Sequence, residues 1–362
     1  VGPVDVSGGQ VMSDAGVALQ CSTAFAELGR KTAIDDSNNL YVAMLCAGTT
    51  GPQTFYVTSS QNGGISYGTP VSTGLTGTEG AILVGTGATP SLFAATTVGN
   101  GPLLFSMSSD LGKTWSAPQT LAADVNQGGN EGVSMALYQS TLYIGVVPVV
   151  AGANYDVFRN GIGIGDAGLV NADDAGFSLT TLDLLGVNLN DMAVDPSNGN
   201  VWAIAEDEGT YHVALSVNGG LTFGAATSPT PSGALDSDWL LGKSFIFGAG
   251  SSDPLYAIPT NAPTTDNTVA GLGVDNTAER SIAIDANGNV YVATGTDTVV
   301  TVSRILYAQA SADAGAADAS NIQSVRTFPG AGGGPTITAR PANAALLAYT
   351  VQGHVFAATL AY

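Results

Sequence analysis

Charged side chains are scarce in this sequence, and a group of them stands just ahead of apolar runs. Arg30 and Lys31, Glu79, Glu131, Asn190 and Asp191, Lys243, and Glu279 and Arg280 occupy such positions. Four of the nine basic residues fall in this class. If the runs are strands gathered around one axis, these groups converge on a polar mouth. Guanidinium and carboxylate groups in a funnel bind a polar ligand through charge-assisted hydrogen bonds. Arg30 and Arg280 suit a ligand carboxylate. A pair drawn from Glu79, Glu131 and Asp191 supports glycosidic hydrolysis if the carboxyl groups stand about 5 Å or about 7–9 Å apart. Solvated strand ends would collect the same charges with no ligand at all.

Other residues offer chemistry more sparingly. Asp236-Ser237-Asp238-Trp239 reads as an insert before the fifth strand group, and an exposed Trp239 there would stack on a sugar or a partner surface. A packed Trp239 fits the same residues. Asp35, Asp36, Asp195 and Asp285 lie in tight turns, where they suit calcium or an ordinary Asx turn. Met107, Met192, His212 and His354 read as strand filler. Gly161 to Gly168 is glycine-rich but is followed by neither Lys nor a helical pattern, so it is no phosphate loop. The sequence holds no nucleophile elbow and no metal-ligand cluster.

The elements that must position these groups are strands. Apolar runs of about 5–8 residues alternate with Gly, Asn, Asp and Pro turns, and the only short helical candidate lies near Ser22 to Leu28. A strand–turn–strand pattern recurs from Thr32 to Ala43, Met192 to Ala203 and Ser281 to Ala293, with Asn and Gly tolerating the positive backbone torsions of the turns. Weaker copies pair Ala81–Val84 with Ser91–Thr96, Val133–Leu137 with Thr141–Val147, Ser244–Gly248 with Pro254–Ile258, and Thr336–Ala339 with Ala345–Tyr349. Seven units result, starting near residues 32, 81, 133, 192, 244, 281 and 336.

A second motif falls late in the units. It reads Ser60-Gln61-Asn62-Gly63-Gly64-Ile65-Ser66-Tyr67, Ser108-Ser109-Asp110-Leu111-Gly112-Lys113-Thr114-Trp115, and Ser216-Val217-Asn218-Gly219-Gly220-Leu221-Thr222-Phe223. Degenerate copies stand at 172–179 and 311–315. As the turn between a third and a fourth strand, it completes four antiparallel strands per unit. Seven such units over residues 1–362 predict a single all-β domain, a seven-bladed β-propeller of four-stranded blades. The last unit supplies three strands, so a strand near Val4–Met12 is expected to close the ring and remove an exposed edge.

The motif resembles the Asp-box, or BNR repeat, and Ser108–Trp115 matches it at every defining position. The resemblance implies an Asp-box propeller, as in sialidases and other carbohydrate-active or carbohydrate-binding proteins. It implies a structural role for the boxes, on the rim and away from the active centre. Asn62, Asp110 and Asn218 would accept backbone N–H bonds, Gly64, Gly112 and Gly220 would take positive φ, and Tyr67, Trp115 and Phe223 would pack between sheets. The sialidases bind sialate with three arginines. Arg30 matches the first, without the Ile-Pro that follows it in the family, Arg280 and Arg340 are further candidates, and no Tyr–Glu nucleophile pair is assignable. No residue is therefore assigned a catalytic role.

Composition narrows the rest. The net charge of −20 repels phosphate backbones, which excludes nucleic acid as a partner, and no apolar run of about 18 residues is present to insert in a membrane. Cys21 and Cys46 flank the first strand unit and form a disulfide or two buried thiols. A start at Val1 and abundant Ser, Thr, Asn and Gly fit a secreted or cell-surface protein whose signal peptide has been removed. The expected function is binding of a glycan or surface protein without catalysis. The alternatives are a sialidase-like glycoside hydrolase with a central pocket and a structural surface component. No cofactor is expected beyond calcium at the turns.

Overall fold

The computed structural model describes residues 3–7, 19–23, 30–47, 53–86, 90–97, 101–125, 133–146, 154–161, 178–185, 188–207, 210–228, 238–242, 245–249, 255–261, 267–270, 279–296, 298–306, 323–329, 334–340, 344–352 and 354–361. Among these there is no helix, and the helical candidate at 22–28 begins instead with a strand residue, Ser22.

The strands form seven sheets, taken here in chain order. The first comprises β2 (Gln20–Ser22), β3 (Thr32–Ile34), β4 (Leu40–Ala47), β5 (Gln53–Ser60) and β6 (Val71–Gly77), with β1 (Val4–Asp5) reserved for the last. The second is β7 (Glu79–Val84), β8 (Leu92–Thr97), β9 (Gly101–Ser108) and β10 (Gln119–Val125). The third is β11 (Ser134–Tyr138), β12 (Thr141–Val146), β13 (Asn154–Gly161) and β14 (Ser178–Leu185). The fourth has three strands, β15 (Asn188–Val194), β16 (Val201–Asp207) and β17 (Thr210–Ser216), plus a single bridge from Val213 to Thr227. The fifth is β18 (Asp238–Leu241), β19 (Phe245–Ala249), β20 (Leu255–Pro259) and β21 (Asn267–Ala270). The sixth is β22 (Glu279–Ile284), β23 (Val290–Thr296), β24 (Val299–Ile305) and β25 (Gln323–Pro329). The last is β26 (Thr336–Arg340), β27 (Ala344–Val351) and β28 (His354–Ala361), with β1 on its far edge.

The first strand of each sheet, β3 in the first, contacts its counterparts in two neighbouring sheets. These contacts run β3–β7–β11–β15–β18–β22–β26 and return to β3. Seven apolar layers fill the spaces between the sheets. Tyr41, Phe55, Val57 and Ile82 lie between the first two sheets, and Val42, Met44, Leu346 and Val355 between the first and last. A middle strand packed on both faces must be apolar throughout, which is why Leu40–Cys46 is wholly buried rather than alternating. This radial arrangement is an all-β propeller.

Two expectations change. Four strands per sheet hold for five sheets, while the first has five strands and the fourth three. The fifth unit begins at β18, not at Ser244, because β18 is the strand that joins the inner strands β15 and β22 of the neighbouring sheets. A four-residue strand that opens on Asp238 is too short to give a periodic signal.

At the N-terminal edge, Val4 lies opposite Ala357 and Asp5 opposite Phe356, and Val6 N–H donates to the Val355 carbonyl at 2.8 Å. His354 is more than filler here. Its Nδ1 stands 3.2 Å from Asp5 Oδ2, and Ser7 Oγ donates to Asp5 Oδ1 at 2.6 Å. Residues 8–12 lie outside the described set. Cys21 and Cys46 are opposite one another on β2 and β4 and form a disulfide.

Candidate functional site

The inner strands bring two of the charged groups, Arg30 and Asp191, together. Arg30, just before β3, sends Nη1 to the Ile282 carbonyl of β22 at 3.1 Å and Nη2 to Asp191 Oδ2 of β15 at 3.4 Å. A side chain from the first sheet that touches the fourth and sixth must cross the axis. Asp191 is held further. Its Oδ1 accepts from Ser134 Oγ of β11 and from the Met192 N–H, the latter at 2.7 Å. Ser134 Oγ in turn accepts from the Met192 N–H at 2.8 Å.

Hydroxyls join other neighbouring inner strands. Thr336 Oγ1 accepts from the Lys31 N–H at 3.2 Å, Thr338 Oγ1 donates to the Thr32 carbonyl at 2.8 Å, and Ser281 Oγ accepts from the Ile337 N–H at 3.3 Å. The Arg30 carbonyl accepts from the Ile82 N–H at 2.7 Å. Lys31, Glu79, Asp191 and Arg280 are all buried, which separates them from solvated strand ends. Burial of that kind requires partners. Glu131, Lys243 and the side chains of Trp239, Glu279 and Arg340 lie outside the described residues. Trp239 lies in the innermost strand of its sheet, opposite Gly248. Position 243 therefore falls between the first and second strands of the fifth sheet, not ahead of the first.

The turns at the other ends of the inner strands satisfy themselves. Asp35 accepts at Oδ1 from the Ser37 and Asn39 N–H groups, and at Oδ2 from Asn39 Nδ2 and Tyr41 OH. Asp285 repeats the pattern with Asn287, Asn289 and Tyr291. Asp195 accepts from Ser197 and Asn198. Burial and the neighbouring carboxylates of Asp35 and Asp285 raise the Tyr41 and Tyr291 phenols above their usual range, so both stay protonated. Among the described residues no three His, Cys, Asp or Glu side chains gather in a metal-binding group.

The three repeated turns share one network. Ser60, Ser108 and Ser216 each donate to the side-chain oxygen two residues on, at 2.8 Å in every case. The same hydroxyls accept from the N–H of Gly64, Gly112 and Gly220. Asn62, Asp110 and Asn218 then accept from the N–H of Ser66, Thr114 and Thr222. Burial opposes ionisation of Asp110, but bonds from Thr114, Ser108 and the Lys113 N–H outweigh it and hold its carboxyl below the ordinary value.

Each turn also fastens two sheets. Gly64 has φ 88°, and a Cβ there would stand 2.5 Å from Thr359 Oγ1 of the last sheet. Thr359 Oγ1 donates to the Gly63 carbonyl at 3.1 Å, and Tyr143 OH of the third sheet donates to the Gly219 carbonyl at 3.2 Å. Tyr67, Trp115 and Phe223 pack into the layers between sheets.

One feature of this face had no sequence signal. Where two turns fall on adjacent sheets, the first and second, a cleft of about 510 Å³ opens between them. Val57, Val71, Tyr67 and Leu111 give it apolar walls, and Ser59, Gln61, Thr69 and Lys113 are among its polar lining. Nearby and in the third turn, Ile65, Val217 and Leu221 are exposed, and these are the large apolar side chains that stand out in solvent among the described residues.

No protein-family model and no curated protein matches the chain. Solved structures match in fold over nearly their whole length. Hydrazine synthase of Kuenenia stuttgartiensis aligns over 99% of both chains at 13% identity, with a TM-score of 0.64. A lectin from Burkholderia pseudomallei aligns over 93% of this chain and 97% of its own at 12% identity, with a TM-score of 0.63. An ulvan lyase, a polysaccharide lyase, aligns over 99% of this chain and 96% of its own at 10% identity, with a TM-score of 0.54. At these identities the likeness is one of fold.

Proposed function

We propose that this chain is a non-catalytic glycan-binding propeller of the Asp-box type, secreted or displayed at the cell surface. Its seven sheets are read as seven blades, with β1 closing the ring through the last. The cyclic contacts of the inner strands and the pairing of Val4 with Ala357 support that count and closure. The repeated turns support the Asp-box reading through their shared Ser–Asx–Gly network.

The observation that carries the non-catalytic reading is the state of Asp191. A general acid or nucleophile must exchange a proton or bond with the sugar. Asp191 Oδ1 accepts from Ser134 and Met192 and its Oδ2 faces Arg30, so each oxygen already has a partner. Two neighbours in fold are named as a lectin and a polysaccharide lyase, which agrees with a carbohydrate ligand. The disulfide agrees with an oxidising compartment. The reading calls for no cofactor.

A glycan array combined with chromogenic glycosides tests it. Retention of defined glycans without turnover is expected. Turnover that disappears in Asp191→Asn while the melting temperature holds would establish the hydrolase instead. An array with no retained glycan would move the reading to a protein partner.

A further inference from the structure

We infer that the cleft between the first and second repeated turns is a saccharide subsite selective for sugars bearing a carboxylate. The inference rests on the glycan-binding reading and names the place and the ligand class. The chain carries 29 acidic and 9 basic residues, yet the residues lining the cleft include one cation, Lys113, and no carboxylate. Lys113 is exposed and, among the described residues, makes no ion pair or side-chain hydrogen bond, and neither does Gln61 across the cleft. Both are ready to bond a ligand. The net charge of −20 repels anions at long range. Screening confines that field to about 8 Å at physiological salt, so the composition of the lining decides at contact distance. The ammonium accepts a carboxylate as a charge-assisted partner. The Gln61 amide meets ring hydroxyls. The apolar face of a pyranose lies against Tyr67 and Leu111.

The backbone adds a second, independent observation. Turns one and three place Gly63 and Gly219 at φ 71° and 68°, whereas turn two places Leu111 there at φ 64°. A leucine in this left-handed region is strained. Its side chain lines the cleft, and retained strain of this kind concentrates at ligand sites.

Calorimetric titration of the intact protein with trigalacturonate, and with the neutral trisaccharide of galactose, tests the assignment. Trigalacturonate is expected to bind at least tenfold more tightly than the neutral sugar. Lys113→Gln is expected to abolish that preference with an unchanged melting temperature, and Gln61→Ala to weaken both sugars severalfold. Val217→Ser, in the distant third turn, is expected to change neither. Equal binding of the two sugars, or a preference that survives Lys113→Gln, overturns the inference. An array that retains neutral glycans and rejects acidic ones overturns it while leaving the glycan-binding reading intact. An array that retains no glycan overturns both.

Discussion

At the N-terminal ends of the inner strands, polar groups answer partners from distant parts of the chain. At the repeated turns, the Ser and Asx side chains answer partners within four residues. Arg30 meets Asp191 and Ile282 across the axis, and Thr32 meets Thr338. Asn62, by contrast, is bonded among the described residues by Ser60 and Ser66 alone. The difference teaches what each end is for. Long-range pairs at the axis exist only when the ring is assembled, so they hold sheets together. The side-chain networks of the turns are local, so their outward side chains are free to vary.

The axial end is expected to be the more fragile, and Asp191→Ala breaks it most directly. Side-chain exposures of 23% for Arg30 and 12% for Asp191 put the pair largely out of water. Removing one partner from such a pair costs about 3 kcal/mol, read as a lower urea midpoint. Arg30→Met in the same chain should restore part of the loss. A neutral Asp191→Ala would mean that the axial contacts do not brace the ring. Reducing the Cys21–Cys46 bond, which closes a 25-residue separation, is expected to cost about 3 kcal/mol in the same assay.

Substitutions in the turns should cost less. Gly64→Ala combines positive φ with the approach of Thr359 and is expected to cost about 2 kcal/mol. Asp110→Ala removes a local network on a solvated turn and should cost about 1 kcal/mol. The second turn also titrates where the first and third, built on Asn62 and Asn218, do not. The folded-state pKa of Asp110 is depressed, so its contribution is present above the unfolded value and is lost as pH falls through the lower folded one. Asp110→Asn should therefore flatten the acid limb of the stability profile below about pH 4. A profile unchanged by that substitution would deny Asp110 this role. The smallest effect is expected from chelation. Asp35 and Asp285 are already fully bonded by their own turns, so EDTA should leave the melting temperature unchanged.

What could be read in advance follows the same division. The hairpin over Thr32–Ala43 and those starting near 192 and 281 were legible because strand and turn signals act over a few residues. The positive φ of Gly64, Gly112 and Gly220 was legible for the same reason. The inner strand β18 was not, since four residues carry no period. Nor was the partnership of Arg30, whose contacts lie 161 and 252 residues away.

The repeat of apolar runs and turns by itself determined an all-β radial architecture, because strand periodicity and turn torsions are properties of neighbouring residues. Only the tertiary structure decided that Asp191 faces Arg30, and that two adjacent turns part to form a cleft. Both depend on how separate sheets approach one another, and that approach is set by side-chain packing between segments far apart in the chain.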